Sequence, residues 1–422
     1  MRIYVVQSGD TLYRLSIRVG VSIQQLVAAN GLESPNQILV GQALIIPGPT
    51  VYTVQPGDSL WTIAQRLKTS VQAIAAQNQI ANPALIYPGQ RLRIPGPPKR
   101  TIDVNAFTTQ FGEAGAASVR EVGPYLTYVS PFGYRIQADG GLTPVDDTAT
   151  LQAAMATRIV LMMAITNFSA TDPGTSLAHT VLASPTVQDQ LLTNVIDTMR
   201  TKGYRGVNID FENVAPADKD LYNAFLQRAI DRLHAQGYFA SSSLAPKTSA
   251  DQKGLLYEAH DYPVHGEVLD FVVLMTYEWG YRLGPPRAIS PLDQIRRVLD
   301  YAVTVIPRNK ILMGFQLYAR DWVLPHVQGQ EAETFSMQEA VRRAVAHGAA
   351  IQYDNTAQSP FFRYTDSTGT RHEVWFEDAR SAQAKLNTVK AYHLRGISYW
   401  VLGYPFPQNW VLLDNNFQVR KI

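Results

Sequence analysis

Hydrophobic and polar positions divide the chain into two regimes. The first 96 residues carry short apolar runs that recur at an offset of 48 without a gap. Tyr4-Val5-Val6-Gln7-Ser8-Gly9-Asp10-Thr11-Leu12-Tyr13 aligns with Tyr52-Thr53-Val54-Gln55-Pro56-Gly57-Asp58-Ser59-Leu60-Trp61. The same offset pairs Asn30 with Asn78, Gly41-Gln42 with Gly89-Gln90, and Leu44, Ile46 and Pro47 with Leu92, Ile94 and Pro95. Each unit is predicted as strand–helix–helix–strand. The strand Tyr4–Gln7 or Tyr52–Gln55 ends at a Gly-Asp turn. A first helix buries Leu12, Leu15 and Ile17, or Leu60, Ile63 and Ala64. Ser22 or Ser70 caps a second helix, which buries Ile23, Leu26 and Val27, or Val71, Ile74 and Ala75. Ala43–Ile46 or Arg91–Ile94 returns as the closing strand. Asp10 and Asp58 are candidate caps of the first helix, with Thr11 and Ser59 as the adjacent alternatives. Asn30 and Asn78 are expected as cap and turn formers.

Pro95-Gly96-Pro97-Pro98-Lys99-Arg100 is a stiff, Pro-rich segment, and residues 97–100 are expected to link the repeats to the rest of the chain. From residue 101 the pattern changes to longer apolar runs separated by amphipathic stretches. Strands are predicted at Ile102–Phe107, Tyr125–Phe132, Arg158–Thr166, Gly206–Phe211, Tyr238–Leu244, Phe271–Thr276, Lys310–Gln316 and Gly396–Trp400. Helices are predicted between them, among others at Thr186–Lys202, Asp218–Gln236 and Leu292–Val305. Eight apolar strands alternating with helices predict an α/β fold, a (β/α)8 TIM barrel over 101–422, whose chemistry sits at the C-terminal ends of the strands. Alternation on both sides of Asp366-Ser367-Thr368-Gly369 predicts a hairpin in a small insertion between strands seven and eight. Phe361, Tyr364 and Trp375 of that insertion are expected to form a local core in preference to a sugar platform.

Charge removes several function classes. Only 17% of residues are charged, and 37 Lys+Arg against 35 Asp+Glu leave a formal +2, so there is no electrostatic footprint for nucleic acid or an anionic membrane. No apolar run reaches the ~18–20 residues of a membrane span. With no Cys there is neither a disulfide nor a thiolate site, and the eight His show no metal-ligand spacing. No metal or cofactor is expected. The N-terminus has no charged n-region followed by an apolar h-region, so synthesis in the cytoplasm is expected. Aromatic residues make up 10% of this weakly charged chain, which suits an uncharged polymer as ligand as well as ordinary core.

Candidate chemistry concentrates in Arg205-Gly206-Val207-Asn208-Ile209-Asp210-Phe211-Glu212-Asn213. Alternation places Asn208, Asp210 and Glu212 on one face and Val207, Ile209 and Phe211 on the other. The apolar set packs outward against helices, so the polar set points into the barrel. Two carboxylates two positions apart lie within ~7 Å. Ionising both in a confined site is unfavourable, so one carboxyl is held protonated near neutral pH, as a general acid requires.

These patterns resemble two families. Residues 1–48 and 51–96 resemble LysM domains through the Gly-Asp-Thr/Ser-Leu start, the central Asn and the Gly-Gln-x-Leu-x-Ile-Pro end. That resemblance implies binding of N-acetylglucosamine-containing glycans, peptidoglycan or chitin, in a groove formed by Asp10, Thr11, Leu12, Gln37 and Ile38, and by Asp58, Ser59, Leu60, Leu85 and Ile86. Residues 101–422 resemble the family 18 glycoside hydrolases. The family's D-x-x-D-x-D-x-E motif keeps its last two acids here as Asp210 and Glu212, while Arg205 and Asn208 replace the first two. Ser130-Pro131-Phe132, Ala245-Pro246, Met275-Thr276-Tyr277-Glu278, Gly314-Phe315-Gln316-Leu317-Tyr318-Ala319-Arg320-Asp321-Trp322 and Trp400 follow in the expected order.

The resemblance implies retaining hydrolysis of β-1,4 bonds in which the substrate's 2-acetamido carbonyl is the nucleophile. Glu212 would be the acid/base, Asp210 would hold the acetamido N–H, and Tyr277 would donate to the acetamido oxygen. Trp400 would lie beneath the sugar, with further substrate contacts from Phe132, Asn208, Glu278 and Tyr318. Asn167 is open to either a sugar contact or a capping role. Asn208 in place of an acid would leave Asp210 facing Glu212 at all times. Arg205 is expected to be structural. Two LysM units ahead of such a barrel resemble the cortical-fragment-lytic N-acetylglucosaminidases of endospore formers. That implies a monomer made in the mother cell, placed in the spore coat or cortex, and acting on peptidoglycan fragments during germination. A chitinase and a non-catalytic chitinase-like lectin are the alternatives.

Overall fold

The computed structural model describes residues 1–422 apart from Pro49, Lys68, Pro97 and Pro98. The two repeats fold alike, for local reasons. Thr11 caps the Leu12–Val19 helix by accepting from the Arg14 N–H, and Ser59 caps Leu60–Arg66 by accepting from the Thr62 N–H. Asp10 and Asp58 stand one residue too early to cap. Their carboxylates accept instead from the Tyr4 and Tyr52 hydroxyls, at 2.6 and 2.5 Å, and from the Gln7 and Gln55 N–H groups, which closes the strand–helix turn. Ser22 and Ser70 cap the second helices, Ile23–Asn30 and Val71–Gln77. Arg2–Val5 pairs antiparallel with Ala43–Ile46, and Thr50–Thr53 with Arg91–Ile94. The Asn30 side chain donates to the Ile45 carbonyl and accepts the Ile45 N–H; Asn78 does the same with Arg93, stapling helix to strand. Ile17 is not core. It is 65% exposed, because it falls off the i, i+3, i+7 stripe on which Leu12, Leu15 and Val19 lie.

Pro97 and Pro98 of the expected linker lie outside the described residues, and Arg100 already opens the first barrel strand. Eight parallel strands then close on themselves: Arg100–Thr108, Tyr128–Pro131, Val160–Thr166, Gly206–Asp210, Phe239–Leu244, Phe271–Leu274, Ile311–Gln316 and Gly396–Leu402, the last pairing with the first. The fold is the expected TIM barrel. Tyr125, expected in the second strand, lies instead in the 3-10 turn Gly123–Tyr125. The lower interior is packed with Tyr128, Met162, Phe239, Phe271 and Leu312. Gly206 leaves the space that the Phe239 ring occupies, since a Cβ there would lie 2.2 Å from it. With the bottom plugged, polar chemistry is confined to the upper end. Among the described residues no helix is long and apolar enough to cross a membrane.

Between strands seven and eight, Tyr318–Leu324, Glu333–Ser336, Gln352–Asp354, Ser359–Thr365 and Arg371–Trp375 form an antiparallel sheet that carries the Met337–Ala346 helix. Phe361 stacks on Trp375 at 4.7 Å, and the Tyr364 hydroxyl donates to buried Asp321 at 2.6 Å.

The repeats, alike in sequence, differ in setting. Ala29, Ala43 and Ile45 of the first are continuous with the barrel's own core. Gln408 donates to Asn30 Oδ1 and to the Ala43 carbonyl, both at 2.8 Å; Gln338 donates to the Gly31 carbonyl and Arg380 to that of Gly41. The Ile351 N–H donates to the Val40 carbonyl. The second repeat has a separate core of its own, and among the described residues it makes no counterpart of these bonds. A crevice at the first junction is lined by Asn30, Gln37, Met337, Arg342, Glu377 and Gln408, and neither Asp210 nor Glu212 lines it.

Candidate active site

The fourth strand builds the site by parity. Its inward positions, Asn208 and Asp210, pair in register with Ala164 and Thr166 of strand three, and Asn208 with Ser241 of strand five. Phe211 turns outward and is wholly buried, stacked at 5.8 Å on both Tyr222 and Phe225. That anchor returns Glu212 to the inside. Asn213 then adopts φ 52°, a left-handed conformation that Asn tolerates better than most residues, and turns the chain away.

Asp210 is buried, and its Oδ1 has no hydrogen-bond partner among the described residues. Burial first, and the Glu212 charge second, push its carboxyl well above the usual range. Glu212 is half-buried at the cleft. Burial and the nearby Glu278 push it up to about 7. Tyr277 follows the sixth strand. Burial and the charges of Asp210, Glu212 and Glu278 hold its hydroxyl protonated. One carboxyl protonated near neutrality beside a second acid and a phenolic donor can protonate a leaving oxygen and orient a polar group next to it.

Glu278 takes φ 69°, uncommon for a residue with a side chain. Arg320 holds it there, its two terminal nitrogens each donating to one carboxylate oxygen at 2.9 Å, while the Tyr318 hydroxyl donates to Oε1. Trp400 is half-buried, edge-on to Phe132 at 5.0 Å and near Phe107 at 5.6 Å; Phe132 meets Phe168 at 5.9 Å. These rings form an aromatic cluster at the upper end of the barrel.

Asn208, an expected substrate contact, and Asn167, open between a sugar contact and a capping role, are both engaged within the barrel. Asn208 is fully buried, its amide donating to Ser241 at 3.0 Å and accepting from Ser243 at 2.9 Å, so both ends of the amide are engaged inside the barrel. Asn167 is fully buried as well. It accepts the Glu212 N–H at 2.9 Å and donates to the Glu212 carbonyl at 2.7 Å, clamping that residue's backbone. Phe168, Ser241 and Ser243 escaped the sequence reading, and Arg320 stood there inside the Gly314–Trp322 motif without a role. The signal for Arg320 was present: it stands two residues from Tyr318, on the same face of a strand.

In the repeats, Leu12 and Leu60 are core residues and offer a groove only their backbone. Asp10 and Asp58 are engaged within the turn, and Thr11 and Ser59 in capping. Gln37 is exposed at the barrel junction, with Ile38 half-buried beside it. In the second repeat Leu85 is 55% exposed next to half-buried Ile86, and Trp61, not foreseen, is 63% exposed.

Residues 129–404 match Glycosyl hydrolases family 18, and residues 4–47 and 52–95 match the LysM domain. The chain is 51% identical to the cortical fragment-lytic enzyme of Bacillus subtilis (strain 168), covering 100% of this chain and 99% of that protein. It superposes on the crystal structure of the spore cortex-lytic enzyme SleL of Bacillus megaterium QM B1551 with a TM-score of 0.92 at 41% identity, covering 100% and 99% of the two chains. A chitinase from Chromobacterium violaceum ATCC 12472 matches with a TM-score of 0.69 at 25% identity over 75% of this chain and 99% of its own. With its acidic fourth strand set in a closed eight-stranded barrel, the chain belongs to family 18 of the glycosyl hydrolases and carries two LysM domains ahead of its catalytic barrel.

Proposed function

We propose that this glycosidase is an N-acetylglucosaminidase that cleaves β-1,4 bonds after N-acetylglucosamine in spore-cortex peptidoglycan fragments, with retention and with the substrate's acetamido group as nucleophile. The observation that carries the reading is the buried Asp210 Oδ1, unpartnered among the described residues, on a carboxyl within reach of the Glu212 charge. A buried carboxylate oxygen left without a donor is unfavourable, and an acetamido N–H is a donor of the right kind. Glu212 protonates the leaving oxygen and later deprotonates water. Tyr277 donates to the acetamido oxygen and aligns it for attack. Glu278 does not serve as a nucleophile, because Arg320 holds both of its oxygens.

The cortical target follows the names of the full-length relatives. The LysM units hold the enzyme on N-acetylglucosamine-containing glycan and raise its local concentration there. Deposition in the spore coat or cortex and action during germination complete the reading.

Mass spectrometry of products from defined cortical muropeptides, beside chitin oligomers, tests the substrate. New N-acetylglucosamine reducing ends from cortex fragments are expected. Cleavage of chitin oligomers alone would make the protein a chitinase, and binding without any cleavage a lectin. A thiazoline analogue of N-acetylglucosamine, which mimics the oxazolinium ring, should inhibit competitively and bind ~10² or more tighter than substrate. A covalent glycosyl-enzyme on Glu278, without thiazoline inhibition, would replace the substrate-assisted mechanism by a two-carboxylate one.

A further inference from the structure

Pairing of strand four with its neighbours ends at Ile209↔Ser242 on one side and Asp210↔Thr166 on the other. The Phe211 carbonyl, between the two acids, therefore has no strand partner. His260 supplies one: its Nε2 lies 2.9 Å from that oxygen. On the ring's other side the Ala245 N–H, just past strand five, donates to Nδ1 at 2.9 Å. That contact settles the tautomer. Nδ1 faces a donor and must accept, so Nε2 carries the hydrogen and donates to Phe211. The ring is 1% exposed.

Its surroundings keep it neutral. Burial lowers its basicity to about 4, against the opposing effect of the Phe211 carbonyl bond and with a smaller push the same way from the Lys247 charge. The Tyr222 and His265 rings pack against it at 6.3 and 6.0 Å; both are buried, and burial lowers His265 far below its ordinary value. Lys247 donates from Nζ to the His260 carbonyl at 3.1 Å. With Asn167 gripping the Glu212 N–H and carbonyl, three successive polar backbone atoms under the acid are each held by a side chain.

We propose that His260 is a positioning residue of the glycosidase: its Nε2–H, aimed by Ala245, fixes the Phe211 carbonyl and so holds the Glu212 carboxyl where it meets the leaving oxygen. The inference rests on the reading of Glu212 as the acid. His260 touches neither substrate nor reacting atoms, so its loss acts on kcat far more than on KM.

Two near-isosteres separate positioning from general support. In His260→Gln the amide nitrogen reaches the depth of Nε2 and can still donate to Phe211. In His260→Asn the side-chain oxygen reaches only the depth of Nδ1 and can still accept from Ala245. With the full chain and a soluble cortical fragment as substrate, His260→Gln should keep kcat within ~3-fold of the wild type. His260→Asn and His260→Ala should lose ~10–10²-fold in kcat with KM within ~2-fold, the scale expected when a catalytic group is displaced by about an ångström. The alkaline limb of the kcat/KM profile should move down in His260→Asn and stay in place in His260→Gln.

Equal losses in the Gln and Asn variants that track their melting temperatures would reduce His260 to a core residue and overturn the proposal. Glu212→Gln runs in parallel. Near-normal turnover there would overturn the reading of Glu212 itself, whereas an inactive Glu212→Gln beside a fully active His260→Asn would remove His260 alone.

Discussion

Gly41 and Gly89 occupy the same turn of the two repeats, both at φ +86°, yet a Cβ at Gly41 would lie 1.9 Å from the Ile351 carbonyl oxygen while at Gly89 nothing stands within 4 Å. Gly41→Ala and Gly89→Ala are therefore a matched pair. The left-handed backbone costs an alanine roughly 1–2 kcal/mol at either site, and that term cancels in the comparison. What is left is the docking of the first LysM unit on the barrel. The obstructing atom at Gly41 is backbone and cannot swing aside, so the Val40–Gln42 turn has to move off Ile351. The nearest bonds to go are Ile351 to Val40 and Arg380 to Gly41; those of Gln408 to Asn30 and Ala43 loosen next. At about 0.5–1.5 kcal/mol each, the loss of two to four such bonds comes to ~1–6 kcal/mol, before any exposure of Ile45, itself worth ~1.5–3 kcal/mol if complete. Calorimetry is the assay, because separate units can melt separately. Gly41→Ala should lower the main barrel transition by several degrees, at about 2 °C or more per kcal/mol. Gly89→Ala should lower only a minor transition of the second unit. Equal shifts of the barrel transition in both variants, or none in either, would refute the view that the first repeat belongs to the barrel's cooperative core.

Three further outcomes are expected from the charges and surfaces. The Glu278 charge helps to raise Glu212, so Glu278→Gln should move the alkaline limb of kcat/KM downward from about 7, whatever it does to kcat; an unmoved limb would separate Glu278 from the acid. The Glu212 carboxyl is raised in the folded state, so its stabilising contribution is present below about 4.5 and is lost as pH rises through about 7. Melting curves of Glu212→Gln should accordingly show a gain over the wild type that is a few degrees larger at about pH 8.5 than at about pH 5, and a pH-independent difference would contradict the shift. Leu85→Asp, on an exposed position of the free second repeat, should weaken retention on insoluble cortical glycan and leave hydrolysis of soluble fragments unchanged; undiminished retention would take the glycan off that loop.

The barrel was legible because its strands are apolar on both faces, and such runs stand out whatever their neighbours. The Leu292–Val305 helix and the Ala43–Ile46 and Arg91–Ile94 strands match their predicted bounds. The inward set of strand four was legible from parity alone. What parity does not reveal is depth. Asn208 and Asp210 share a face, yet the first sits one layer below the cleft among Ser241 and Ser243. Capping was ambiguous because Asp10 and Thr11 are both good caps. The hydroxyl of Tyr4, six residues before Asp10, decides between them by engaging the carboxylate. The docking of the first repeat could not be read from the repeats at all. It depends on Gln338, Ile351, Arg380 and Gln408, which lie some 300 residues downstream of the loop they hold.

Glu278 shows how far such distant partners reach into the chemistry. In the sequence it is a second carboxylate at a strand end, available in principle as a nucleophile. Its availability is decided by Arg320 and Tyr318, which sit 42 and 40 residues on, in the strand that leaves the barrel for the insertion sheet. Both Glu278 oxygens are held by one guanidinium, which on the proposed mechanism leaves the substrate's own acetamido group as the attacking group. Glu278 also acts electrostatically: it opposes ionisation of Glu212, as the proposed acid role requires. With Glu212 as the proposed acid, the insertion would thus bear on proton transfer without touching the proton. A rearrangement of its first strand that released Arg320 would alter the pH range of the enzyme before it altered the shape of the cleft.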